Sequence, residues 1–139
     1  MAGIFQLPEE LWRQIQAHLQ ANLPEEACGL IGGAQTPELA SWKADQVYPV
    51  ENILHSPTRY RMEGGAQLAA FEQIDRAGLE LIAVFHSHPQ GPIFPSETDR
   101  KELYYEVIQL ICYLQASTWQ CRGYQLINNN FHEIELLID

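Results

Sequence analysis

A chain of 139 residues with 46% hydrophobic content carries enough apolar material for one globular domain over 1–139, with no need of disulfide or metal staples to hold a core. Its formal net charge of -10 excludes the basic surface that phosphate contacts require, and no apolar run nears the roughly 20 residues of a membrane helix, so neither nucleic acid nor a membrane is expected as a partner. Three cysteines without a CxxC pair, and an opening MAGIFQLPEELWRQ that lacks a basic stretch ahead of a long apolar one, point to reduced, buried thiols and a cytoplasmic address.

Pro8 predicts a helix start, with Glu9 and Glu10 where the helix dipole favours acids. Leu7, Leu11, Ile15 and Leu19 recur every four residues and give that helix an apolar stripe to pack on a sheet. Asn22-Leu23-Pro24 ends it. His18, beside the stripe, reads as a surface or edge histidine without a role. Glu25-Glu26 leads into Ala27–Gly33, a first strand rich in glycine, a residue that lets another backbone or a ligand come close. Thr36-Pro37 marks a turn before a strand from about Leu39 to Val50. Asn52–Tyr60 reads as a loop, with His55 exposed on it, entering a short extended piece at Tyr60-Arg61-Met62. Gly64-Gly65 precedes a second helix over Ala66–Ala77, with Leu68, Phe71 and Ile74 on one side and Gly78 as its stop.

Leu79–Phe85 is a short apolar run, the pattern of a strand buried on both faces, and it breaks into His86-Ser87-His88-Pro89. Residues two apart on a strand point the same way, so both imidazoles face one side and can reach a single zinc ion, while Ser87 points away. Pro89 ends the strand. The chain to Asp99 is long enough to fold back and bring a carboxylate as third ligand. Each piece alone has a plain meaning: histidines at a sheet rim, or Ser96 with Asp99 three residues on as a helix-capping pair. Their conjunction is what points to a metal site. After Asp99 a short helix is expected to about Tyr105, then a central strand over Val107–Leu114. Trp119–Ile127 and Phe131–Ile138 read as an antiparallel pair turned at Asn128-Asn129-Asn130. Strands interspersed with helices imply an α/β layered sheet wrapped by helices.

His86-Ser87-His88-Pro89, the loop to Pro95, and Ser96-x-x-Asp99 resemble the signature of the JAMM (MPN+) metalloprotease family, and Glu26-Ala27-Cys28-Gly29-Leu30-Ile31-Gly32-Gly33 is similar to its upstream glutamate segment. The resemblance covers essentially the whole chain. It implies a curved mixed β-sheet flanked by helices, the JAMM/MPN (cytidine-deaminase-like) fold. It also implies zinc held by His86, His88 and Asp99, with Ser96 beside the catalytic water. The Glu-x-Cys-Gly match selects Glu26 as the acting carboxylate over Glu25, which a strand would turn the other way.

Three protein ligands leave a fourth zinc position for water, the mark of a catalytic site. Glu26 is expected to take that water's proton and pass it to the leaving amine, and Ser96 to donate a hydrogen bond to the developing oxyanion. Cys28, two residues past Glu26, would shut the site if its thiolate reached the metal; a small buried thiol under the sheet is the plainer reading. The resemblance is to the small bacterial members, and implies a metallopeptidase or isopeptidase that hydrolyses the amide bond after the C-terminal diglycine of a ubiquitin-like sulfur-carrier protein, or of its adduct. The Asn52–Tyr60 segment, similar to one in those members, is expected to wall the groove, and an extended tail to dock by strand addition at a sheet edge. Two alternatives are a non-catalytic MPN-type protein-binding module and a RadC-like DNA-repair-associated protein. The first fits poorly with a complete ligand set, the second with the acidity.

Overall fold

The computed structural model describes residues 3–92 and 107–139. Seven strands and two helices follow in the order β1 (Ile4–Leu7), α1 (Glu9–Asn22), β2 (Cys28–Thr36), β3 (Ser41–Val50), α2 (Gly64–Arg76), β4 (Glu80–His88), β5 (Ile108–Gln115), β6 (Thr118–Ile127) and β7 (Asn130–Ile138). The mixed sheet and helices agree with the α/β reading. The sheet closes into a ring, a detail beyond the curved mixed sheet implied by the resemblance, in the order β1-β3-β2-β4-β5-β6-β7, with β1 parallel to both β3 and β7. Each strand of the ring has a neighbour on either side, though not over its whole length: β1 pairs with β3 only at Ser41, Trp42 and Lys43, whereas β2 pairs with β3 as far as Val50. No described helix is long and apolar enough to cross a membrane.

The two helices serve opposite faces of the sheet. Leu11, Trp12, Ile15 and Leu19 of α1 share a buried cluster with Phe5, Leu7, Phe85, Leu110 and Cys112. Leu7, expected at the head of the helical stripe, lies instead in β1, and Trp12 takes part in the stripe. Trp119 Nε1 donates to Gln20 Oε1 at 3.0 Å and ties α1 to β6. On the other face α2 packs Ala70 and Ile74 against Leu30, Tyr48, Val50 and Val84. Its stripe runs through Ala66, Ala70 and Ile74, at spacings of four, with Phe71 packed beside it, while Leu68 lies off that face and is 58% exposed. The helix begins at Gly64, earlier than the glycine pair suggests. The Glu63 carboxylate caps it by accepting from the Gly65 and Ala66 amides, which also lowers the pKa of that carboxyl.

β4 sits between β2 (antiparallel) and β5 (parallel) and is buried from Ile82 to its end. Phe85 faces the α1 core and Val84 the α2 side, so strand alternation puts His86 and His88 on the α2 side. The glycine signal in β2 has a specific cause: a Cβ on Gly29 would run into the Phe85 ring and the Tyr48 carbonyl. The close neighbours are thus the adjacent strands. The loop and short helix expected over 95–105 lie outside the described residues, and with them Ser96 and Asp99.

Candidate metal centre

Three buried side chains converge where β2 begins and β4 ends. One ligand-capable atom from each of Glu26, His86 and His88 lies within 4.8 Å of the others, and these residues are 3%, 0% and 4% exposed. His86 Nε2 and His88 Nε2 are 3.1 Å apart. Two imidazole nitrogens each about 2.0–2.1 Å from one tetrahedral ion stand roughly 3.3 Å from each other, so this spacing fits a shared metal. The other face of the His88 ring agrees with that reading. Its Nδ1 lies 2.8 Å from the Pro92 carbonyl, which can only accept, so Nδ1 carries the hydrogen and Nε2 of the neutral ring keeps a lone pair for an ion. The Tyr60 ring stacks on His86 at a centroid distance of 4.5 Å and 27° between planes. The Asn52–Tyr60 segment expected to wall the groove therefore sets its last residue directly over a histidine.

Glu26 is held by its main chain. Its amide donates to the Ser56 carbonyl at 2.8 Å, and its carbonyl accepts from Asn52 Nδ2 at 2.9 Å. The same Nδ2 reaches the Arg59 carbonyl, while Asn52 Oδ1 accepts from the Leu54 and Arg61 amides. A short ladder, Ile53 amide to Arg61 carbonyl and Glu63 amide to Glu51 carbonyl, steadies the excursion over 51–63. One residue further on, the Ala27 amide donates to Ser87 Oγ at 2.8 Å and the Ser87 amide to the Ala27 carbonyl at 2.9 Å. Ser87, which points away from the imidazoles as expected, thus joins the glutamate-bearing strand to the histidine-bearing one. Neither Asn52 nor Ser87 stands out as a positioning residue in the sequence. The one sign for the first was its place at the head of the Asn52–Tyr60 segment similar to that of the family's bacterial members, and nothing local marks the second.

The neighbouring titratable groups fall into place around this centre. Glu25 turns outward to His55, with Oε1 3.0 Å from Nδ1, and Glu51 approaches the other nitrogen of that exposed ring at 3.5 Å. Cys28 keeps its proton: burial, and then the charge of Glu26, push its pKa up to about 12, and its thiol points to the Val50 carbonyl at 3.4 Å. It stands outside the Glu26–His86–His88 group. His18 is more engaged than an edge histidine. Its Nε2 lies 2.9 Å from the Cys28 carbonyl, its Nδ1 faces Asn22 Nδ2 at 3.4 Å, and burial lowers its pKa. Those partners suit the neutral ring, donating at Nε2 and accepting at Nδ1.

A buried carboxylate beside two imidazoles with converging lone pairs can hold a divalent ion and move a proton next to it. Known proteins have sequences related to this one. Over 109 residues, 78% of its length, the chain is 35% identical to a Thermus thermophilus protein described as a probable TtuB-protein conjugate cleaving protease, and the match takes in 69% of that protein. It is 34% identical over 92 residues to the CysO-cysteine peptidase of Mycobacterium tuberculosis, covering 66% of this chain and 60% of that one. The solution structure of a Desulfitobacterium hafniense protein superposes with a TM-score of 0.85 at 28% identity, over 98% of this chain and 92% of the other. The family model for prokaryotic homologs of the JAB domain matches residues 8–128, a span that takes in the glutamate, both histidines and the Ser96-x-x-Asp99 segment. The resemblance drawn from the motif is borne out, and the chain belongs to the prokaryotic JAB-domain family.

Proposed function

We propose that this chain is a zinc metallopeptidase of the JAMM type that hydrolyses the amide bond after the C-terminal diglycine of a ubiquitin-like sulfur-carrier protein, releasing the amine attached there. His86 and His88 would hold the ion together with Asp99, the third ligand implied by the motif. Bound there, zinc supplies a Lewis acid for the amide carbonyl and brings the pKa of a water to about 7. The remaining work belongs to the chain. Glu26 accepts the proton of the attacking water on its buried carboxylate and returns it to the departing nitrogen, which otherwise leaves as an unstable amide anion. Ser96 donates to the oxygen that gains charge. Asn52 and the Ala27–Ser87 pair hold Glu26 to its task through the main chain, and Tyr60 covers one imidazole.

The observation that carries this reading is the convergence of the Glu26, His86 and His88 ligand atoms within 4.8 Å in a buried setting. The family and the two named relatives support the reaction class and the kind of partner. An extended tail would dock by strand addition beside the Glu26–His86–His88 group, where Tyr60 stacks on His86.

The test is to offer carrier–cysteine adducts to the purified chain with and without chelator. Hydrolysis should stop with chelator and return with zinc. Glu26→Gln should keep its zinc and lose roughly 10²–10⁴-fold in rate, the usual worth of a positioned acid–base group. Full activity in that variant would remove Glu26 from the mechanism. A chain that purifies without stoichiometric zinc and cleaves no adduct would be a binding module.

A further inference from the structure

Cys112 and Cys121 are direct partners across the antiparallel β5–β6 ladder. The Cys112 thiol points at the Cys121 sulfur, 3.8 Å away, and both are free thiols. Directly opposed residues of an antiparallel pair have Cα atoms about 4.5 or 5.5 Å apart. Disulfides accept Cα separations of about 4.4–6.8 Å, so the backbone already meets the requirement and only side-chain rotation stands between contact and bond. The two thiols differ in access. Cys112 is wholly buried in the α1-side core, whereas Cys121 is half-buried at its margin. The third thiol is excluded by position. Cys28 lies on β2, with β4 between it and β5, and is directed to Val50 of β3.

We propose that Cys112 and Cys121 form a redox site: a dithiol that a low-molecular-weight disulfide converts into a disulfide within one chain, entering at Cys121 and closing on Cys112. The Cys121 thiolate attacks one sulfur of the small disulfide, and its other half leaves as a thiolate that takes up the proton Cys121 gave to water. The Cys112 thiolate then attacks Cys121 Sγ, breaks the mixed disulfide and expels the second small thiol. One protein dithiol is oxidised and one small disulfide is reduced to two thiols. Burial holds the Cys112 thiol well above its usual pKa, so attack on the small disulfide starts from the more exposed Cys121.

Oxidised glutathione is the probe. On the folded chain, the thiol titre should fall from three to one, intact mass should show loss of two hydrogens without retained glutathione, and peptide mapping should find Cys112 joined to Cys121. Dithiothreitol should reverse all three. Cys112→Ser should trap glutathione on Cys121, and Cys121→Ser should leave its two remaining thiols free on the same timescale. The proposal is overturned if the folded chain keeps three thiols while the denatured chain oxidises. It is equally overturned by a bond that involves Cys28 or a second chain, or if Cys112→Ser gathers no adduct.

Discussion

At Asn52 one buried amide meets four backbone groups, and those groups belong to Glu26 and to the excursion that carries Tyr60. Alanine there would strand buried donors and acceptors, each at about 1–3 kcal/mol. Asn52→Ala should therefore lower the urea midpoint clearly and weaken turnover through the displaced glutamate, with zinc content largely kept. His18 permits a prediction with a definite sign. Its folded pKa lies below the ordinary 6.5, so as pH falls through 6.5 the unfolded chain takes the proton first. Stability should be level above that pH and decline below it, down to the lowered folded value. His18→Gln should flatten the decline in a pH series of thermal midpoints. At this scale the sequence was informative about residue types and poor on partners. The histidine pair was legible because strand alternation fixes which way two side chains point, and Glu26 because a motif surrounds it. The partners of His18, Asn52 and Ser87 come from distant parts of the chain, which no local pattern encodes.

The strands and helices were legible nearly throughout, since each carries its own periodicity or punctuation. The antiparallel pair β6–β7 turns at Asn128 and Asn129, both with positive φ, as their composition suggested. The preceding hairpin turns at Ala116 and Ser117, also with positive φ, where neither residue type announces it. In β2 the glycines signalled closeness without naming the neighbour. Gly29→Ala would press a methyl group on the Phe85 ring and on the Tyr48 carbonyl, and a carbonyl in a paired strand cannot swing aside. The expected loss is about 1–3 kcal/mol by denaturant titration, with activity falling as well because Phe85 directly precedes His86.

For the molecule as a whole, closure of the sheet is the outcome that the sequence left unread. It depends on β1, four residues whose pairing partners, β3 and β7, lie far along the chain. A segment so short shows no alternation long enough to notice, and parallel pairing at such range leaves no local signature. Phe5 of that strand is fully buried in the α1-side core. Phe5→Ala should cost about 3–5 kcal/mol in a urea melt, which would make this inconspicuous opening segment one of the more sensitive places in the chain. The Ser87 tie has a consequence for how the active groups respond to motion. That hydroxyl lies on the strand face opposite the two imidazoles and grips the peptide next to Glu26, so a tilt of either strand transports acid and nitrogen donors together. Their triangle travels as a block, coupled through the two hydrogen bonds that Ala27 and Ser87 exchange.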